Sequence, residues 1–170
     1  MLRLAAIWVL VSAGSIWPLG AHQPGGAIDV PTGARVVLEA RGEGVQIYAC
    51  KDTGGTVAWV LTGPEAQLLD AGGKTIGKHF AGPTWELTDG STVQGVLMAS
   101  QPSPDAGSVA WLLLRAKAGS ATGRMRDVAF IRRTETHGGA ADPSACRSAG
   151  DVGKTVRVPY SAAYTFYAAK

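Results

Sequence analysis

The stretch Val45-Gln46-Ile47-Tyr48-Ala49-Cys50-Lys51-Asp52-Thr53-Gly54-Gly55-Thr56-Val57-Ala58-Trp59-Val60-Leu61 decides the fold. In its first part Val45, Ile47 and Ala49 point one way and Gln46, Tyr48 and Cys50 the other, which is the two-residue period of a strand. In its last part Val57, Trp59 and Leu61 share one face. Between the two lies Asp52-Thr53-Gly54-Gly55, a hairpin-type connection that recurs as Asp70-Ala71-Gly72-Gly73 and as Asp89-Gly90. Segments enriched in β-branched and aromatic residues follow the same rhythm at 35–40, 93–99, 109–118, 128–133 and 163–167. No stretch sustains an amphipathic helical period without meeting a glycine or proline. The expected fold is all-β: an antiparallel two-sheet sandwich, with a barrel as the alternative.

Residues 1–21 read as a signal peptide. Met1-Leu2-Arg3 is a short basic start, 4–17 is an apolar run, and Pro18-Leu19-Gly20-Ala21 offers a small-residue cleavage site. A membrane span needs roughly 20 apolar residues, so no transmembrane anchor is expected after cleavage. Residues 22–33 are Pro/Gly-rich and read as an extended arm, and 34–170 as a single β domain. The implied location is secreted or periplasmic. Cleavage removes Arg3 from the 16 basic residues and leaves the 13 acidic ones in place. That balance is too even for nucleic-acid binding. The basic pairs Arg132-Arg133 and Arg124/Arg126 read as solvated strand edges. Asparagine is absent, which excludes N-glycosylation.

Cys50 and Cys146 are the two cysteines of the chain. In an exported protein they are expected to form one disulfide, since neither has local neighbours suited to a metal or a reactive thiol. An internal echo sets Gly63-Pro64, Asp70 and Gly77 against Gly82-Pro83, Asp89 and Gly95, an offset of 18 or 19 residues. It reads as two successive hairpins. The segments 101–108, with two prolines, and 134–152 read as irregular loops.

The chain resembles a family of exported bacterial and fungal proteins, catalogued as domain of unknown function 3455. The resemblance rests on GEGVQIYAC (42–50), WVLTGPEAQLLDAGGKTIGKHFAGPTWE (59–86), WLLLRA (111–116), THGGAADPSAC (136–146) and VPYSAAYTFY (158–167). It covers nearly all of the chain after the signal, and it implies a secreted single domain without supplying a mechanism. A malate dehydrogenase label carried by some fungal members finds no support in these residues. The segment Gly42-Glu43-Gly44-Val45-Gln46-Ile47 lacks the third glycine of a dinucleotide fingerprint and no βαβ pattern surrounds it.

The residues that could carry chemistry are few. His79, Trp85 and Glu86 crowd into Lys78-His79-Phe80-Ala81-Gly82-Pro83-Thr84-Trp85-Glu86. There His79 and Glu86 could act as base and orienter or as metal ligands. Equally, His79 could bond a loop carbonyl while Trp85 fills the core. His137, followed by Gly138-Gly139, could join His79 to hold copper or zinc. His22 would become the N-terminal residue after cleavage at Ala21, a copper-chelating arrangement. Glu65 with Glu86, or Glu86 with Asp89, could be paired acids. The aromatic residues Trp59, Trp85, Trp111, Tyr48, Tyr160, Tyr164 and Tyr167 would stack on sugars if exposed in a row, and otherwise pack the core.

The leading expectation is a non-enzymatic extracytoplasmic binding or envelope-associated domain. It needs no cofactor, and its ligand is an unidentified small molecule, glycan or envelope component. The binding residues are His79, Trp85, Glu86 and His137, with the ligand surface around 78–86 and 136–140. The alternative is a copper- or zinc-dependent secreted enzyme using His79 and His137.

Overall fold

The computed structural model describes residues 26–170, so the segment 1–21 expected to be a signal peptide and His22 lie outside the described residues. Eight strands follow in chain order: β1 (Arg35–Asp52), β2 (Val57–Leu69), β3 (Thr75–Phe80), β4 (Thr84–Leu87), β5 (Thr92–Gln101), β6 (Trp111–Ala116), β7 (Val128–Gly138) and β8 (Thr155–Ala168). Each pairs antiparallel with its sequence neighbour, and β1 also pairs with β8. The hydrogen bonds therefore run around one closed ring, the topology of a barrel, and no strand of the ring is left with an unpaired edge. The expected all-β antiparallel fold is present, its eight strands joined in one ring.

The three expected turns all form, each by an aspartate bonding its own following backbone. Asp52 Oδ1 accepts from Gly55 N at 2.7 Å, Asp70 Oδ1 from Gly72 N at 2.9 Å, and Asp89 Oδ1 from Ser91 N at 2.9 Å. This is the turn-forming role open to aspartate in a chain without asparagine. The two echoed segments become the β2–β3 and β4–β5 hairpins.

Two expectations about extent change. Segments 35–40 and 45–50 belong to one long strand, β1, because Gly42 and Gly44 continue it without a break. Gly42 is there for space: a Cβ at this position would lie 2.5 Å from Cε2 of Tyr164, a side chain only 1% exposed. Gly42→Ala is expected to cost about 1–3 kcal/mol by overpacking, read as a lower denaturation midpoint. An unchanged midpoint would mean that the Tyr164 ring moves freely. The second change is in 134–152, whose first residues are strand rather than loop. A bulge between Thr134 and His137, with Glu135 at φ 49°, lets β7 run on to Gly138.

Cys50 and Cys146 form the expected disulfide, with Cα atoms 5.7 Å apart. It ties the 139–154 connection to the end of β1, where Cys50 N donates to Lys154 O at 2.8 Å and Gly153 N to Cys50 O at 2.9 Å.

The interior changes character along the ring. Leu68, Leu87, Val93, Met125, Val128, Ile131 and Phe166 fill one part with apolar packing. Along β7 the inward positions then pass from Val128 and Ile131 to Arg133, and along β8 from Phe166 to Tyr164 and Tyr160. On β1 the inward series ends in Gln46, Tyr48 and Cys50. One part of the ring is packed dry, and the other is lined with polar groups.

Candidate functional site

The hairpin that carries His79 is decided by its register. β3 and β4 pair His79 with Trp85 and Lys78 with Glu86. Cross-strand partners share a face, so the histidine and the tryptophan go inside together and the two charges go outside. The His79 and Trp85 rings stack with centroids 4.3 Å apart and planes 6° apart, and Tyr164 meets each edge-on at 5.2 and 5.5 Å. His79 Nδ1–H donates to Thr84 O at 2.9 Å. That bond fixes the neutral tautomer and leaves the Nε2 lone pair for whatever lies beside it. Burial pushes the imidazole down from 6.5 to about 4; the Thr84 carbonyl opposes this and the nearby Arg133 cation reinforces it.

Glu86 faces away from this group. Its carboxylate pairs with Lys78 Nζ at 3.1 Å on the outer surface, with side chains 34% and 59% exposed. His79 and Glu86 therefore cannot act as base and orienter. An exposed pair of this kind contributes little, so Lys78→Ala and Glu86→Gln are each expected to change unfolding free energy by less than about 1 kcal/mol. A loss well above that in urea titration would give Glu86 a role beyond the pair.

His137 also lies elsewhere. Its side chain is 70% exposed and its Nδ1 sits 3.1 Å from Asp105 Oδ2. His79 and His137 do not line a common cavity, and among the described residues no group of three or more His, Cys, Asp and Glu is placed to hold a metal ion. Gly139, at φ 88°, bends the end of β7 not around open space but over Tyr160 and Gln46. Its carbonyl accepts from Tyr48 Oη at 2.7 Å. Of the seven aromatic residues singled out above, Trp85, Tyr160 and Tyr164 are buried and Tyr48, Trp59, Trp111 and Tyr167 are half-buried.

What the ring does assemble is a cavity of about 350 Å³. Gln46, His79, Trp85, Leu114 and Tyr164 form its buried floor. Leu61, Thr62, Pro83 and Leu97 form an exposed lip, so it opens to solvent. The turn at 81–83 is held at the lip by the Gln94 amide, which donates to Gly82 O, and by Gly95 N, which donates to Pro83 O at 2.9 Å. Its size falls at the lower end of small-molecule sites, roughly 300–1,000 Å³.

Two floor residues carry buried polar atoms that the protein leaves without hydrogen bonds. Gln46 is 1% exposed and neither its amide oxygen nor its amide nitrogen has a partner; the indole N–H of Trp85 has none either. Burying such groups unpaired costs about 1–3 kcal/mol each. Arg133 completes the wall. Its Nε and one terminal nitrogen donate to Ala110 O at 3.1 and 2.7 Å, and no carboxylate among the described residues pairs with it. Tyr160 and Tyr164 hydroxyls lie 3.3 Å apart nearby. Burial raises the pKa of both phenols above its ordinary value, so they stay neutral.

Sequence reasoning singled out His79, Trp85 and, among the aromatic residues, Tyr164, but missed Gln46 and Arg133. Arg133 reads in sequence as one of a solvated pair; in the structure Arg132 and Arg133 alternate, and Arg133 goes to the cavity. The signal was present in the strand period: Arg133 lies two residues after Ile131, which is fully buried. A wider depression of about 850 Å³ lies along β1, β7 and β8. Its charges, Glu39, Arg41, Glu43 and Arg132 among them, are already wet, and it holds none of the unpartnered buried atoms.

Fold and site together define a disulfide-tied antiparallel ring with a cavity open at a polar part of its interior. The chain belongs to the family described as protein of unknown function DUF3455, whose model matches residues 31–168. No curated protein and no solved structure matches it.

Proposed function

We propose that this protein is a non-enzymatic extracytoplasmic binding protein whose ligand occupies the cavity floored by Gln46, His79 and Trp85. The observation that carries this reading is the Gln46 amide, buried and unpartnered on the cavity floor. A group in that position lowers stability unless something in the cavity satisfies it, so its presence is explained by recognition rather than by packing. The disulfide supports an oxidising, extracytoplasmic compartment. His79 fits the same role: neutral, held by Thr84 and stacked on Trp85, it presents a fixed acceptor instead of a mobile base.

Gln46→Met keeps the side-chain length and removes both polar atoms. It is expected to leave the melting temperature unchanged or to raise it, while abolishing the stabilisation given by bound small molecules. A thermal-shift screen of a metabolite collection on wild type and variant reads both. Compounds that stabilise the two proteins equally would place the ligand elsewhere. A marked fall in melting temperature with no compound distinguishing the proteins would make Gln46 a structural residue.

A further inference from the structure

We propose that the ligand is a small carboxylate with an apolar body, its carboxylate held at Arg133 and Gln46; this rests on the cavity being the binding site. The charge argument comes first. Arg133 brings a permanent cation to the cavity wall and no acidic side chain among the described residues pairs with it there. Its neighbours there are neutral: Gln46, His79, Trp85 and Tyr164, with both tyrosines kept protonated by burial. Half-buried at the wall of an open cavity, this cation attracts an anion that enters it.

The inventory of donors points the same way. Arginine and the indole N–H can only donate, and the Gln46 amide adds two further N–H groups. Against these stand two acceptors, the Gln46 amide oxygen and the bare Nε2 of His79, so the cavity still offers more donors than acceptors, as a carboxylate requires. A planar carboxylate also matches the guanidinium, whose Nε and one terminal nitrogen each give one N–H to Ala110 O and which keeps three N–H donors on its two terminal nitrogens. One cation suits one negative charge. A phosphate dianion would bring a second charge with nothing to meet it, and the remaining walls do not invite one: Leu61, Leu97, Leu112, Leu114, Pro64 and Pro83 are apolar. Leu61 and Leu97 are 50% and 58% exposed at the lip, where a hydrocarbon or aromatic body would cover them. The bare Nε2 of His79 then accepts from a hydroxyl on the ligand, if it carries one.

The test uses matched probes of one shape: 3-phenylpropionate, 3-phenylpropionamide, 3-phenylpropanol and 3-phenylpropylamine. Binding is followed by the indole and imidazole NMR signals of Trp85 and His79, assigned with Trp85→Phe and His79→Asn. The carboxylate is expected to bind roughly tenfold or more tighter than the amide, with the amine weakest. Arg133→Met is expected to erase that preference and Arg133→Lys to retain part of it. Should Arg133→Met fail to fold, the preference of wild type and its weakening by salt carry the decision. If amide or alcohol binds as well as the carboxylate and moves the same signals, the carboxylate proposal is overturned and the cavity stands. If no probe moves the Trp85 and His79 signals, the cavity reading fails with it.

Discussion

Opening the Cys50–Cys146 bond, by reduction or by the paired Cys50→Ser and Cys146→Ser substitutions, is expected to lower the unfolding free energy by up to about 4.7 kcal/mol. The two residues are 96 apart in sequence, so the bond removes a large part of the freedom of the unfolded chain. In the native protein both sulfurs are buried, with residue exposures of 1% and 2%, and the strands around them are held by their own ladders. The ring should therefore still close when the bond is open. The loss should appear as a shifted midpoint in guanidinium with an unchanged β-sheet spectrum. It should be accompanied by local loosening of 139–154, which trypsin would report at the exposed Arg147. Since whole domains are stable by only ~5–15 kcal/mol, a change of this size separates a robust protein from a marginal one. A shift below about 1 kcal/mol would mean that the unfolded chain is already constrained without the bond.

Acid should weaken the fold through His79, and in a defined window. Burial lowers its folded pKa to about 4 from the ordinary 6.5. Between those values the unfolded chain takes up a proton that the folded protein refuses. Stability linked to this group is therefore complete above pH 6.5, falls as the pH drops below it, and levels off near pH 4. The difference corresponds to about 3 kcal/mol. Carboxylates do not obscure the window. Glu65, Asp89, Asp105, Asp142 and Asp151 have pKa values lowered by their hydrogen bonds, so their contributions are present above about 4.5 and are lost only at lower pH. His79→Phe keeps an aromatic ring against Trp85 and removes the titration. Whatever it does to absolute stability, it should flatten the slope of unfolding free energy between pH 6.5 and 4.5. A slope that survives the substitution would assign the acid sensitivity to another group.

Much of the molecule was legible in the chain. The alternation around Gln46 and Tyr48, the Asp-Gly turns and the pair of cysteines gave the strands, the hairpins and the disulfide, because each depends on neighbours in sequence or on a count. The histidine–tryptophan hairpin was visible too, yet its meaning was not. His79 and Glu86 are both in it, and only the pairing of β3 with β4 puts one inside and the other outside. Bulges at Ile47/Tyr48, Leu97/Ala99 and Thr134/His137 make face counting unreliable beyond a few residues.

What the sequence by itself determined is the class: an all-β, disulfide-linked member of its family, with the turn chemistry to support it. What only the tertiary structure decided is the site. Gln46, Arg133 and Tyr164 come from three strands and meet because β1 closes onto β8, a long-range pairing that no local pattern encodes. Hydrophobic alternation reports which face is inside only where the inside is apolar. At the cavity Gln46, His79 and Arg133 turn inward although they are polar, so the rule that finds a core conceals the place where the core gives way to a site.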